Sequence, residues 1–436
     1  RMKKVLLISY YWPPAGGVSV LRTLKIAKYL REFGWEPVVF TTSNASFPYI
    51  DKGNLKDVPD GITVIKRPIL EPFEVFKKLT GRKKEERLDN ILQVRSENTN
   101  LVESLGIWVR ANFFIPDARS LWIGPSVRYL KQYLKDHPVD AIFSDGPPHT
   151  NTVIANKISQ HFKLPWLADF QDPWTQADYY EMFPIGALAH RIHQKQESRV
   201  FEEANKITIA SPSWAKDLEA IGAKNVDVIY YGYDEADFSS PPPPRYGKIT
   251  ITHAGLLGID RFPRQFFEAL KGLMVENPDL PDRLEVKLVG QVDWSIKEDI
   301  ENLGLQAVCT FQDFIPRQEV IKMNRSVHLL LLPLNIAKNT KGRLPGKLYE
   351  YLRSNTPVLA FGPPDSDAAK ILDATGCGVT INYEDQNEAK RLLTQLLQTK
   401  TLADYQPSQQ SIAVFSNQQQ TKKVAMYLDQ ITENRK

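Results

Sequence analysis

Short apolar runs alternate with longer segments whose apolar positions recur every three or four residues, almost from end to end of the chain. Val5–Ile8 opens the pattern as a buried strand, and Leu21, Leu24, Ala27 and Leu30 follow at helical spacing until Gly34. Pro37–Thr41 reads as a second strand. Ala141–Ser144, Trp166–Asp169, Ile207–Ala210 and Val226–Ile229 repeat the unit with helical stretches between them. Ser211, ahead of Pro212-Ser213, is an N-cap for one of these helices, and Gly222 lies where it would end. Strands joined by helix-length crossovers pair in parallel, so the first half is predicted to be a doubly wound α/β domain.

The alternation breaks at Ser239-Ser240-Pro241-Pro242-Pro243-Pro244, a stiff run that neither a helix nor a central strand accommodates. It then restarts with Ile249–Thr252, Val286–Val289, Val308–Phe311, Val327–Leu332, Val358–Phe361 and Val379–Ile381. The predicted organisation is a domain over residues 1–238, a linker over 239–247, a second α/β domain over 248–416 and a closing helix over 417–436. That helix places Val424, Tyr427, Leu428 and Ile431 on one face. Residues 71–122 break the pattern and read as an insertion, with basic Arg82-Lys83-Lys84 followed by Trp108, Phe113, Phe114 and Ile115. Two such domains are expected to face each other across a cleft at their strand ends, where ligands of this class bind.

Length, composition and charge narrow the function. At 436 residues, two packed domains are expected, and 42% hydrophobic with 24% charged residues is a globular composition. A formal charge of +4 is too small for a nucleic-acid coat. The two cysteines, Cys309 and Cys377, are far apart, which points to a reducing compartment and away from a cysteine-based zinc site. Met2-Lys3-Lys4 resembles the start of a secretory leader, but the apolar run stops at Ser9, so a buried strand is expected instead. No window approaches the length of a membrane-spanning helix.

Three segments could carry chemistry. Gly16-Gly17 lies in the loop after the first strand, where backbone N–H groups can face an anion; a plain tight turn is the alternative. The loop is not GxGxxG and no acid closes the next strand, which argues against a dinucleotide cofactor. Lys341–Leu352 contains Pro345-Gly346-Lys347-Leu348 at a predicted helix start, and Glu350 lies one turn after Lys347. A cation beside a helix start, with a carboxylate one turn on, suits a ribose diphosphate; a capped helix bearing a solvated Lys–Glu pair is the alternative. His253–Arg261 adds Gly255 and Arg261 at another strand end, and arginine suits bidentate phosphate contact. Asp365-Ser366-Asp367 has the form of a metal-binding DxD, but Asp367 is expected to cap a helix. His190, His193 and Glu197 share a helical face at zinc-binding spacing, and a solvated face is the expectation there.

At these residues the second half resembles the donor domain of the family 4 retaining glycosyltransferases, whose fold is GT-B. In many members an arginine follows the loop glycine and a lysine lies six residues after it. Here Gly255 is followed by Leu256, and Arg261 stands at the lysine position. The family's E-x7-E element ends in a ribose-binding glutamate; Glu350 matches that place, and Gly342 stands where the first glutamate would be. The sequence is similar instead to the branch written P-G-K-x-x-E-Y-L. Gly16-Gly17, Pro116-Asp117 with Trp122, Ser144–His149 and Asp169–Trp174 resemble a bacterial surface-polysaccharide branch, whose D-x-R-D-P-W motif carries Gln171 at the arginine position here.

The resemblance implies two Rossmann-like domains, an acceptor-binding N-terminal one and a nucleotide-sugar-binding C-terminal one. Gly255, Arg261, Gly346 and Lys347 would meet the donor diphosphate, Glu350 the ribose, and the backbone near Phe314 and Ile315 the base, with Leu256 and Leu348 as further donor-binding candidates. Arg261, Lys347 and Asp172 are the catalytic candidates; Gly16, Gly17, His149 and Asp172 are the acceptor candidates. No metal and no cofactor are expected, with a UDP-sugar the favoured donor and a saccharide or lipid-linked molecule the acceptor. The expected location is cytoplasmic, with peripheral contact on the inner membrane face through about residues 82–115. A nucleotide-sugar epimerase of the same fold and a non-catalytic sugar-nucleotide-binding protein are the alternatives.

Overall fold

The computed structural model of the chain describes residues 1–72 and 101–434. The chain divides into two compact units: Arg1–Tyr231 with Asn417–Lys436, and Gly232–Ser416. The division falls between Tyr231 and Gly232, so the proline run lies inside the second unit.

The first unit runs β1 (Lys3–Ile8), α1 (Val18–Tyr29), β2 (Trp35–Thr42), β3 (Thr63–Arg67), α2 (Leu101–Phe113), α3 (Ile123–Asp136), β4 (Ala141–Gly146), α4 (His149–Phe162), β5 (Trp166–Phe170), α5 (Ala187–Glu203), β6 (Lys206–Ile209), α6 (Pro212–Ala220) and β7 (Val226–Val228). Its strands form one parallel sheet in the order β3-β2-β1-β4-β5-β6-β7. β1 is central and buried on both faces, which is why it reads as an unbroken apolar run. Leu6 and Ile8 enter one core with Phe40, Ile142 and Trp166. Val5 and Leu7 enter the opposite one with Leu24, Val39 and Phe143.

The second unit runs β8 (Ile249–Ala254), α7 (Arg264–Glu276), α8 (Leu280–Arg283), β9 (Leu284–Val289), α9 (Trp294–Asn302), β10 (Cys309–Gln312), α10 (Arg317–Asn324), β11 (Leu329–Pro333), α11 (Lys347–Arg353), β12 (Val358–Phe361), α12 (Asp367–Thr375), β13 (Gly378–Ile381), α13 (Gln386–Thr399) and α14 (Gln409–Ala413). Its six strands are again all parallel, in the order β10-β9-β8-β11-β12-β13. The last helix, α15 (Asn417–Glu433), returns to the first unit, where Val424, Tyr427, Leu428 and Ile431 join the core beside α1.

Trp122, at the end of the stretch read as an insertion, is a core residue of the first unit: it is 1% exposed and stacks on Phe40 with ring centroids 5.1 Å apart. Trp108 and Phe113 on α2 are 45% and 69% exposed, while Phe114 and Ile115 are half-buried. Arg82, Lys83 and Lys84 lie outside the described residues.

Candidate functional site

In the second unit the strand order reverses between β8 and β11, the position where open α/β sheets bind ligands beyond their carboxyl ends. The chain leaves β8 through Gly255, whose φ is 119° and whose N–H donates to Val289 O at 2.8 Å. Gly290 faces it with φ 103°, and a Cβ there would stand 3.0 Å from Gly255 O. Glycine at both positions lets the two loop backbones nest. A Cβ on Gly255 would also stand 3.0 Å from the Lys347 amine, so that amine rests against bare backbone.

Lys347 opens α11 and turns its side chain back over the end of β8. Its Nζ donates to Ala254 O at 2.8 Å and lies 3.3 Å from Nε2 of the buried His253. Burial, with the Lys347 and Arg261 cations, holds His253 well below the usual imidazole range. The neutral ring can therefore accept from the ammonium at Nε2. Its buried Nδ1 has no hydrogen-bond partner among the described residues. Burial, and then Arg261, lowers Lys347 to about 8, with Glu350 acting the other way. Arg261 is braced by the preceding residue, Nε to Asp260 Oδ1 at 3.1 Å and Nη2 to Asp260 Oδ2 at 2.9 Å. Gly255, Lys347 and Arg261 thus come together around one loop.

Glu350 is one turn further along α11 and is held by Arg317, a residue the sequence reading missed. Arg317 Nε donates to Glu350 Oε1 at 2.8 Å, and Nη2 donates to the same oxygen. Nη2 also donates at 2.9 Å to Oδ2 of Asp237, a half-buried residue whose side chain is turned away from solvent. Burial pulls the Arg317 guanidinium down, but Glu350 and Asp237 outweigh it and hold it above its usual value. A lone arginine after Pro316 carries no sequence signal; only folding brings it to Glu350. Phe314, 68% exposed, and the half-buried Ile315 lie just ahead of Arg317. Leu348 is buried, whereas Leu256 and Gly346 are half-buried. Gly346 has φ −56° and ψ −32°, already helical.

The strand ends of the first unit carry a different chemistry. The Gly16 amide, expected to face a ligand, donates to Tyr49 O at 2.8 Å, and Cβ atoms of Tyr49 and Asp51 lie 3.2 Å from where a Gly16 Cβ would be. Close approach of the 49–51 segment is what requires glycine there. Gly17 is exposed, with φ 89°, just ahead of α1. Below the loop lies a buried polar network. Arg22 grips Asp169 through Nε at 2.6 Å and Nη2 at 2.8 Å, and Thr208 donates to the same carboxylate at 2.7 Å. Asp145 accepts from Ser9 at 3.1 Å, Thr23 at 2.7 Å and Gln171 at 2.6 Å. Burial, and then the Asp169 charge, pushes Asp145 up to about 6. Asp172 is half-buried near Tyr231, whose hydroxyl is raised by burial and then by Asp172.

His149 is 5% exposed and stacks on Trp174 with ring centroids 4.3 Å apart and an interplanar angle of 3°. Burial, and then His193, lowers it to about 3. The face carrying His193 and Glu197 is not solvated as expected: both are buried. His193 Nδ1 accepts from Trp174 Nε1 at 3.0 Å, and Glu197 accepts from Thr175 N and Oγ1 at 3.0 and 2.7 Å. The Trp174 loop packs onto α5 and takes both side chains out of water. The cap of α12 is Ser366, accepting from Ala369 N at 3.2 Å, while Asp367 is the first helical residue and Asp365 pairs with Lys341. Among the described residues no three His, Cys, Asp or Glu side chains converge to hold a metal ion.

Residues 16–232 match the glycosyl transferase 4-like domain. No curated protein sequence matches the chain. Among solved structures, HepE of Anabaena in complex with UDP and glucose is similar at 15% identity and TM-score 0.62, covering 98% of this chain and 100% of that one. A glycosyltransferase from Rickettsia africae is similar at 13% identity and TM-score 0.63, covering 99% of each chain. Sucrose-phosphate synthase from Thermosynechococcus elongatus follows at 13% identity and TM-score 0.55, covering 99% of this chain and 97% of that one. The match over residues 16–232, the two parallel-sheet Rossmann-like units and the likeness to these solved structures give the chain a glycosyltransferase-like GT-B fold.

Proposed function

We propose that the chain is a retaining glycosyltransferase that moves a sugar from a nucleoside diphosphate to a saccharide or lipid-linked acceptor in surface-polysaccharide or glycoconjugate synthesis. The observation that supports this most is the meeting of Gly255, Lys347 and Arg261 at the sheet's switch point, with Glu350 one turn away. Two cations around an approachable loop suit a diphosphate, and a carboxylate beside them suits a ribose. A UDP-sugar is the favoured donor; the similar Anabaena protein has been solved with UDP and with UDP-glucose.

In this reading the bond that breaks joins the anomeric carbon to a diphosphate oxygen. Charge grows on that oxygen, and Lys347 and Arg261 stabilise it as it forms. The acceptor hydroxyl enters on the same face, and its proton passes to the departing diphosphate. Asp172 and His149, at strand ends of the first unit, orient the acceptor. The chemistry asks for no metal or cofactor. The cytoplasmic face of the membrane is the proposed place of action, with α2 making peripheral contact; among the described residues no helix is long and apolar enough to cross a membrane.

Hydrolysis and transfer across a panel of nucleotide sugars identifies the donor. Truncating one partner of a desolvated charge pair costs about 2–5 kcal/mol, and ~2 kcal/mol is about thirtyfold. Lys347→Ala and Arg261→Ala are each expected to lower kcat/KM for that donor by about thirtyfold or more and to weaken nucleoside diphosphate binding. Wild-type efficiency in both folded variants would place the diphosphate elsewhere.

A further inference from the structure

We propose that Arg317 is a positioning residue that sets how Glu350 reads the ribose, an inference that rests on the donor site just proposed. A carboxylate oxygen has two lone pairs. Oε1 of Glu350 receives both Nε and Nη2 of Arg317, so its accepting capacity is used. Oε2 makes no hydrogen bond among the described residues, which leaves it as the oxygen Glu350 can offer a hydroxyl. Arg317 is itself anchored at its other side. Asp237, whose side chain is 2% exposed, takes Nη2 at 2.9 Å through Oδ2, while its Oδ1 accepts from Gln318 at 2.9 Å.

The planar guanidinium makes this hold directional as well as electrostatic. A free glutamate side chain must give up several torsions to meet a ligand; one clamped in advance has lost that entropy before binding. Arg317 thereby adds ribose affinity without touching the ribose. It also supplies the positive charge that offsets Glu350 and Asp237, whose combined negative charge would otherwise repel an incoming diphosphate.

These two contributions separate by ligand and by substitution. Inorganic pyrophosphate feels the charge but has no ribose; a nucleoside diphosphate feels both. Arg317→Lys keeps the charge and loses the planar fork, whereas Arg317→Ala loses both.

Dissociation constants are measured by calorimetry on the full chain for pyrophosphate and for whichever of UDP, ADP and GDP binds most tightly. Arg317→Lys is expected to lower the preference for nucleoside diphosphate over pyrophosphate by about tenfold, with pyrophosphate affinity within about twofold of wild type. In turnover it should raise donor KM with kcat little changed. Arg317→Ala should weaken both ligands. Glu350→Gln should lose the same preference, and adding Arg317→Lys to it should lower the preference no further. If Glu350→Gln loses the preference while both Arg317 variants keep it, the positioning role is overturned and the ribose assignment stands. If Glu350→Gln keeps it as well, the ribose assignment fails and takes this proposal with it.

Discussion

Lys347 occupies a position where three influences compete: burial and the Arg261 cation push its proton off, and Glu350 pulls it back. With its pKa lowered to about 8, the ammonium is charged at neutral pH but loses its proton as pH rises through that value. A diphosphate bound through this charge should therefore bind more weakly at alkaline pH. From pH 7 to 9 the charged fraction falls about tenfold, so nucleoside diphosphate affinity is expected to fall by up to about tenfold. Lys347→Arg, which stays charged throughout, should abolish the dependence. Titration calorimetry at the three pH values 7, 8 and 9 measures it; a flat wild-type profile would contradict the placement of Lys347 at the diphosphate. Lys347 and Glu350 were legible in the sequence because they share a helix at i and i+3. Their controlling partners, His253, Ala254 O and Arg317, come from other elements that no local spacing links to them.

At the scale of elements, α5 shows how packing reassigns a polar face. Its Lys, Arg and Gln content predicts solvation, yet the Trp174 loop closes over His193 and Glu197 and satisfies both. Burial, against a weaker opposing pull from Asp117, lowers His193 to about 4. The sign follows: the folded state keeps this ring neutral while the unfolded chain protonates below about 6.5, so its stabilisation is complete above that pH and is lost as pH falls towards 4. Between pH 7 and pH 5 the loss is about 2 kcal/mol from this one residue. His193→Gln retains an acceptor for Trp174 without titrating. Urea unfolding at the two pH values, followed by tryptophan fluorescence, should show a pH-dependent loss about 2 kcal/mol smaller in the variant than in wild type. Equal losses would mean that His193 takes up its proton without unfolding.

For the whole molecule, an acceptor carried on a lipid would require the protein to meet a membrane surface. Trp108 and Phe113 on α2 are the exposed aromatic residues there, and their rings touch edge to face at 5.8 Å. Apolar insertion and about 1 kcal/mol per basic residue near an anionic surface are the two sources of such binding. The intact protein is expected to co-sediment with anionic vesicles more than with neutral ones, and Trp108→Ala with Phe113→Ala should reduce the difference. Equal, negligible binding to both vesicles would remove the membrane contact.

Hydrophobic patterning alone determined that this chain builds two doubly wound sheets, because a strand buried on both faces must be apolar throughout and a parallel crossover must have helical length. Val358–Phe361 is read with the bounds it has in the structure, and most other strands within two residues. β3 escaped because it is an edge strand: Thr63 and Lys66-Arg67 meet water and only Ile65 is buried, so no apolar run marks it. The loop glycines and the Pro345–Glu350 segment were likewise visible, since turn chemistry and helical spacing are local. The tertiary structure decided what those residues touch. It filled the Gly16 amide with Tyr49, put the Lys347 amine on Gly255, and brought Asp145 and Asp169 from neighbouring strands into one buried network with Arg22 and Gln171. The physical reason is range: periodicity and capping act within a few residues, whereas burial and charge pairing act between groups that only the crossovers bring together.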